Sequence, residues 1–123
     1  MSYKKLDIWK QARVLVVEIH HLSIRELPKF ELYEVGSQIR RSMKSVKANI
    51  VEGYGRRQYK GEFLKFITYA IASTYETIDH LETLYETGSL SNQQKFETLH
   101  KKLTQLSWAL YNFHKALQTK HIT

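Results

Sequence analysis

Apolar residues recur along this chain at steps of three and four almost from end to end, with only short polar stretches between. The last third is clearest. Phe96, Leu99, Leu103, Leu106, Leu110, Phe113 and Leu117 form a heptad-like seam, which predicts a helix over about 92–119. Ser91, with Gln94 three residues on, reads as its capping box. Before it, Leu64, Ile67, Ile71, Thr74, Ile78, Leu81 and Tyr85 predict a helix over about 60–87, closed by Gly88 in the left-handed conformation. Ile8, Ala12, Leu15, Ile19 and Leu22 predict a first helix over about 7–23, with Asp7 as its N-cap. Leu32, Val35, Ile39, Met43, Val46 and Ile50 predict a second over about 31–52, with Pro28 ahead of it and Gly53-Tyr54-Gly55 breaking it. Four amphipathic helices joined by short loops predict an all-α, antiparallel up-and-down four-helix bundle, a single domain over residues 1–123.

The faces away from these seams are not uniformly polar. Val14 and Val17 on the first helix point outward, as do Trp108 and Tyr111 on the last. On the third, Phe63, Phe66 and Ala70 form a second stripe beside the main seam. Clustered exposed apolar groups mark an interface, so Val14, Val17, Phe63, Phe66, Trp108 and Tyr111 are candidate contacts between copies of the chain. A wide core-facing stripe gives the same pattern.

Composition narrows the chemistry. The chain has 123 residues, 19 Lys plus Arg against 12 Asp plus Glu, and no cysteine. The missing cysteines exclude a disulfide framework, a thiolate-held metal and a Cys nucleophile. No apolar run is long enough to span a membrane. The N-terminal stretch is interrupted by Asp7, Lys10, Gln11 and Arg13 and lacks a small-residue cleavage site, so a cytoplasmic protein is expected. Two Glu-x-x-His pairs, Glu18 with His21 and Glu97 with His100, match the spacing of di-metal bundle sites. Both flank the seams, and burying their carboxylates unpaired would be costly, so they read as solvated surface. His80, four residues after Glu76, reads as a helical polar pair. No zinc-protease, phosphate-loop or nucleophile-elbow motif is present. The expectation is a non-enzyme without metal or cofactor.

The net charge of +7 has a centre. Arg40, Arg41, Lys44, Lys47, Arg56, Arg57, Lys60 and Lys65 follow closely, opposed only by Glu52 and Glu62. Arg40, Lys44 and Lys47 share one helical face; Arg56, Arg57 and Lys60 fall in the next loop and helix start. Glu76, Asp79, Glu82 and Glu86 make the far half of the third helix acidic, which predicts one basic and one acidic end. Tyr54 and Tyr59 interleave with the basic loop, placed to stack on unpaired bases. Lys60 stands at a helix N-terminus, where a cation opposes the dipole. Three readings stay open: nucleic-acid contact, salt bridges within or between subunits, and plain solvated charge.

Three stretches resemble a known family. Leu6-Asp7-Ile8-Trp9-Lys10-Gln11-Ala12 looks like the opening of the bacterial four-helix-bundle proteins named after 23S ribosomal RNA intervening sequences. Ser37-Gln38-Ile39-Arg40-Arg41-Ser42 is similar to that family's second-helix motif. Ser45-Val46-Lys47-Ala48-Asn49-Ile50-Val51-Glu52-Gly53-Tyr54-Gly55-Arg56 resembles its hallmark run, with Lys47 standing where many relatives have proline. The resemblance implies a compact bundle that assembles into a ring, typically a homopentamer, with RNA as the commonly supposed ligand. More distantly, the chain resembles the accessory variability determinant of diversity-generating retroelements, which implies nucleic acid and a reverse transcriptase as partners. Within the motif, Asn49 and Glu52 stand near the end of the second helix, and Gly53 and Gly55 are placed to permit a sharp reversal. Glu52 is placed to hold Arg56 or Arg41, and Glu76 an arginine across the bundle. The expected function is nucleic-acid binding, RNA over DNA, by a homo-oligomer with no membrane association. The alternative is a protein–protein adaptor whose basic patch serves assembly.

Overall fold

The computed structural model describes residues 2–120. Its helices are α1 (Asp7–Arg25), α2 (Val35–Gly55), α3 (Lys60–Glu86) and α4 (Gln93–Thr119), with short 3-10 turns at Tyr3–Lys5 and Lys29–Leu32. Side-chain bonds fix neighbours and direction. Arg40 of α2 reaches Ser23 of α1, Ser42 and Ser45 of α2 meet Thr77 and Ser73 of α3, and Lys102 of α4 reaches Glu18 of α1. Lys47 over Trp9 adds a second α1–α2 contact, Lys95 near Glu26 a second one from α4 to the end of α1, and His100–Glu82 with His114–Thr68 two between α3 and α4. Within each helix pair one number rises as the other falls, so adjacent helices run antiparallel in the order α1-α2-α3-α4. The bundle is all-α, as the periodicity predicts.

The seams of α1, α2 and α4 bury as their spacing requires: Ile8, Ala12, Leu15, Ile19 and Leu22 meet Ile39, Met43, Val46 and Ile50, with Leu99, Leu103, Leu106 and Leu110 closing the other side. On α3 the buried row is Phe63, Ile67, Ala70, Thr74, Thr77, Leu81 and Leu84. Leu64, Ile71 and Ile78 only edge the core. Phe63, expected outside as an oligomer contact, is 1% exposed and lies edge-on to Tyr54 and Phe113. Ala70 is buried too. The cause is the small side chains of α2, which let α3 approach closely and turn its apolar face toward α2. A Cβ on Gly53 would stand 3.0 Å from the Phe66 Cβ and 3.2 Å from Phe63 Cδ1. Gly53 therefore serves close packing rather than the reversal, and α2 continues through Gly55 instead of breaking at Gly53-Tyr54-Gly55.

Helix ends depart from the expected caps by single residues. Leu6 occupies the N-cap of α1, and Asp7 is the first helical residue, where its carboxylate still suits the dipole. Asn92, not Ser91, caps α4: its Oδ1 accepts the Lys95 N–H at 3.0 Å. Gly88 does adopt a left-handed φ of 84°, and the Leu90 N–H returns to the Leu84 carbonyl at 2.9 Å. The second helix starts at Val35 rather than near 31, because Glu31 has a different task. Its buried carboxylate accepts the Gly36 N–H at 3.1 Å and the Ser89 hydroxyl at 2.7 Å. It thereby caps α2 from outside the helix and joins the α1–α2 loop to the α3–α4 loop.

Candidate nucleic-acid interface

The structure divides the basic residues from Arg40 to Lys60 into two sets. Arg40 donates from Nη2 to the Leu32 carbonyl at 2.8 Å and from Nη1 to Ser23 Oγ at 3.0 Å. It ties the end of α1 to the start of α2 through a carbonyl and a hydroxyl. Arg56 lies between Glu52 at 2.8 Å and Glu62 at 2.9 Å, with its guanidinium 4.9 Å from the Phe66 ring centre. The hydrogen bond to Glu52, followed by that to Glu62, raises the Arg56 pKa. Lys65, then Arg56, holds the Glu62 carboxyl below its usual range. Arg57 lies 4.1 Å over the Tyr54 ring and donates to the Tyr54 carbonyl at 3.0 Å. Lys60 donates to the Gln118 carbonyl at 2.7 Å. That carbonyl sits at the C-terminal end of α4, where a cation is favoured, so a neighbouring helix answers the dipole conflict. Tyr54 is buried beneath Arg57 and is not presented to a base, whereas Tyr59 is exposed.

The second set is different. Arg41 and Lys44 make no hydrogen bond or ion pair among the described residues, and Lys47 Nζ stands 5.8 Å from the Trp9 ring centre. Lys44 and Lys47 line a groove of about 700 Å³ between α1, α2 and the Tyr3–Lys5 turn. Lys4 and Arg13 line it from the other side. Sequence reading missed both, because the run from 40 to 65 drew attention along the chain rather than across it. The available signal was on α1, where Arg13 follows Trp9 by four residues and so shares its face. Glu52 is the one acid lining the groove, and Arg56 engages its carboxylate. Farther along the same face, burial first, and then Lys44, His21, Arg40 and Arg25, push the His20 pKa below its ordinary value. Charge repulsion of that kind is an internal sign of positive potential. Trp9 itself is 9% exposed, and its Nε1 is the buried side-chain polar atom left without a partner among the described residues. Such an orphan costs about 1–3 kcal/mol.

Charge varies across the bundle as well as along it, with Arg56, Arg57 and Lys60 near the start of α3 and Glu82 and Glu86 near its end. Ser42 lies against Thr77, so Glu76 and Asp79 stand level with Arg41. Glu76 pairs with His80 at 3.2 Å and holds no arginine among the described residues. Asn49 donates to the Ser45 carbonyl at 2.9 Å and to Ser45 Oγ at 3.1 Å, bracing the residue that meets Ser73 on α3.

A family model described as 23S rRNA-intervening sequence protein matches residues 4–112. The chain belongs to this family. It is also similar to the crystal structure of a protein of unknown function from the S23 ribosomal protein family of Bacteroides thetaiotaomicron. The two are 22% identical over 88% of this chain and 95% of that one, with a TM-score of 0.77, a likeness of fold. No curated protein matches the chain.

Elsewhere on this 23S rRNA-intervening sequence family member, the Glu-x-x-His pairs are taken up by other contacts. Glu18 accepts from Lys102 at 2.7 Å, Glu97 from Gln93 at 2.9 Å, and His100 meets Glu82 at 2.8 Å. Among the described residues no three His, Asp or Glu side chains gather to hold a metal, and no helix is long and apolar enough to cross a membrane. Val14, Val17, Trp108 and Tyr111 are exposed as their positions predict, while Phe66 lies half-buried beneath Arg56 and Lys65. Trp108 and Tyr111 join Tyr75 around a groove of about 560 Å³ between α3 and α4.

Proposed function

We propose that this family member is a non-enzymatic, self-associating cytoplasmic bundle that binds nucleic acid, RNA in preference to DNA, along the α1–α2 face. One observation carries the reading: Lys4, Arg13, Lys44 and Lys47 converge on one groove from three elements, and its only acid is engaged elsewhere. Arg41 extends the face. Arg56 leaves the contact set, because two carboxylates offset its charge, and Arg40, Arg57 and Lys60 become secondary, because each has a donor committed to a backbone carbonyl of the protein. The family's name, which ties it to intervening sequences of 23S rRNA, supports RNA as the ligand.

The mechanism follows from the side chains. Lysines and arginines aligned on a helical face neutralise phosphates and release counterions, so affinity falls steeply with salt. No side chain is held in a base-reading geometry, which favours backbone and shape recognition over sequence. Val14, Val17, Trp108 and Tyr111 offer apolar surface for association, and a homopentamer is the state that the resemblance implies. Repeating the face around an oligomer raises the effective concentration for a second contact on one RNA.

The test is a titration of labelled single- and double-stranded RNA and DNA at several salt concentrations, beside an Arg13→Ala/Lys44→Ala/Lys47→Ala variant. Binding of about micromolar strength with a steep salt slope, lost in the variant, is the expected result. No binding at low salt sinks the reading. Weight then moves to an adaptor whose docking surface is the exposed Tyr75, Trp108 and Tyr111 patch, with a protein such as a reverse transcriptase as the partner to try.

A further inference from the structure

We infer that the α1–α2 groove contains a built site for one phosphate group, with the Trp9 indole N–H as hydrogen-bond donor and Arg13, Lys44 and Lys47 as the surrounding charge. This deepens the nucleic-acid reading and rests on it for the physiological ligand.

A track of solvated lysines needs no buried donor to attract a polyanion. This groove borders one. Trp9 is among the residues lining it, and its Nε1–H lies buried without an acceptor among the described residues. An indole nitrogen can only donate, so the group that completes it must be an acceptor. Lys47 stands over the ring, and Lys44, Arg13 and Lys4 share the groove, so an anionic acceptor is favoured over a neutral one. The nearby carboxylate is already assigned: Glu52 is held by Arg56 at 2.8 Å. The remaining fit is a phosphate, whose several oxygens can meet the indole N–H and the planar fork of Arg13 together. At about 700 Å³ the groove has room for the phosphate and the sugar that carries it. Tyr3, edge-on to Trp9 at 5.6 Å, and Val16 and Val51 supply apolar walls. Such walls strengthen charge-assisted bonds by excluding water.

The chain has two tryptophans, which makes the site directly observable. In a nitrogen-15 correlation spectrum each gives one indole N–H signal, and a Trp108→Phe variant assigns them. The uniformly labelled protein is titrated with inorganic phosphate, with pyrophosphate, and with a short RNA bearing either a 5′-phosphate or a 5′-hydroxyl, at constant ionic strength. A saturable downfield shift of the Trp9 signal, with Trp108 unmoved, is the expected result. It should vanish in Lys44→Ala/Lys47→Ala at unchanged Tm. Trp9→Phe keeps the ring and removes the donor, and should weaken phosphate binding by about tenfold.

The arms separate the ligand's source: a shift with both RNAs indicates a backbone phosphodiester, and a shift only with phosphate, pyrophosphate or 5′-phosphorylated RNA indicates a terminal phosphate. If RNA binds and the Trp9 signal stays in place, the indole site is wrong and the broader nucleic-acid reading stands. If phosphate moves the signal but no RNA binds, the site stands and that reading falls. If nothing binds, both fall. Equal phosphate affinity in Trp9→Phe and wild type also overturns the site.

Discussion

The corner between α2 and α3 and the face between α1 and α2 carry similar basic residues to different ends. At the corner, Arg56 is clasped by two glutamates, Arg57 lies on the Tyr54 ring, and Lys60 holds the last turn of α4. Along the face, Arg41 and Lys44 meet no acceptor among the described residues, and Lys47 Nζ stands 5.8 Å from the Trp9 ring centre. A guanidinium already bonded to a carboxylate brings little net charge to a ligand. An unpaired ammonium brings all of its charge. Of the corner residues only Arg56 has its charge offset by carboxylates; Arg57 and Lys60 bond neutral carbonyls and keep their charge, but each is tied into the fold.

The largest effect that would separate the two regions is on affinity. Changing Arg13, Lys44 and Lys47 to Ala should lower RNA affinity by about thirtyfold or more at low salt and reduce the salt slope by about 2–3. Tm should hardly change. Changing Arg57 and Lys60 to Ala should do the reverse, and equal loss of RNA binding in both variants would erase the distinction. Next is Arg40, which lies on the face but behaves like the corner. Arg40→Ala strands the Leu32 carbonyl and should cost about 1–3 kcal/mol of stability, read as a fall in Tm of about 4–10 °C. Smaller again is Lys60→Met, which removes the cation from the α4 C-terminus. A fall in Tm of about 2–4 °C with unchanged RNA affinity is expected.

The smallest effect concerns pH. His20 is held below its ordinary pKa by burial and by the cations around it, so the fold prefers the neutral ring. In the free protein that contribution to stability is complete above the ordinary histidine range and is lost as pH falls through it, since the unfolded chain takes up the proton first. A bound polyanion reverses the preference by raising the His20 pKa. RNA affinity should therefore rise as pH drops through the same window, and His20→Gln should flatten the profile. An unchanged slope in that variant would remove His20 from the face.

Much of the fold was legible because three of the helices obey one rule. In α1, α2 and α4 the apolar spacing picks out most of the buried residues, with Val35, Phe96 and Phe113 only edging the core. On α3 that rule finds Ile67, Thr74 and Leu81 but puts Leu64, Ile71, Ile78 and Tyr85 where Phe63, Ala70, Thr77 and Leu84 are buried, for a reason outside α3's own sequence. The seam of a helix is centred by what its neighbours present, and α2 presents Ser42, Ser45 and Gly53. The hallmark run was legible as a motif, but the role of Gly53 was not, because close approach between helices has no local signature. The candidate site was half legible. Lys44 and Lys47 stood in the basic run, whereas Lys4, Trp9 and Arg13 lie over thirty positions earlier in the chain and join them only when α1 packs on α2. Arg40, Arg56, Arg57 and Lys60 looked equivalent to the others until their acceptors, two of them backbone carbonyls on other elements, were in place.

Glu31 has a consequence for how the chain survives being cut. Its carboxylate reaches from the α1–α2 loop to Ser89 in the α3–α4 loop, so both connections at that end share one buried fastening. A protease that nicks one loop leaves the other loop, the fastening and the helical core still holding the fragments together. Limited digestion of the wild type should yield a nicked but associated bundle, whereas Glu31→Ala should let the same cut proceed to separation and loss of both halves.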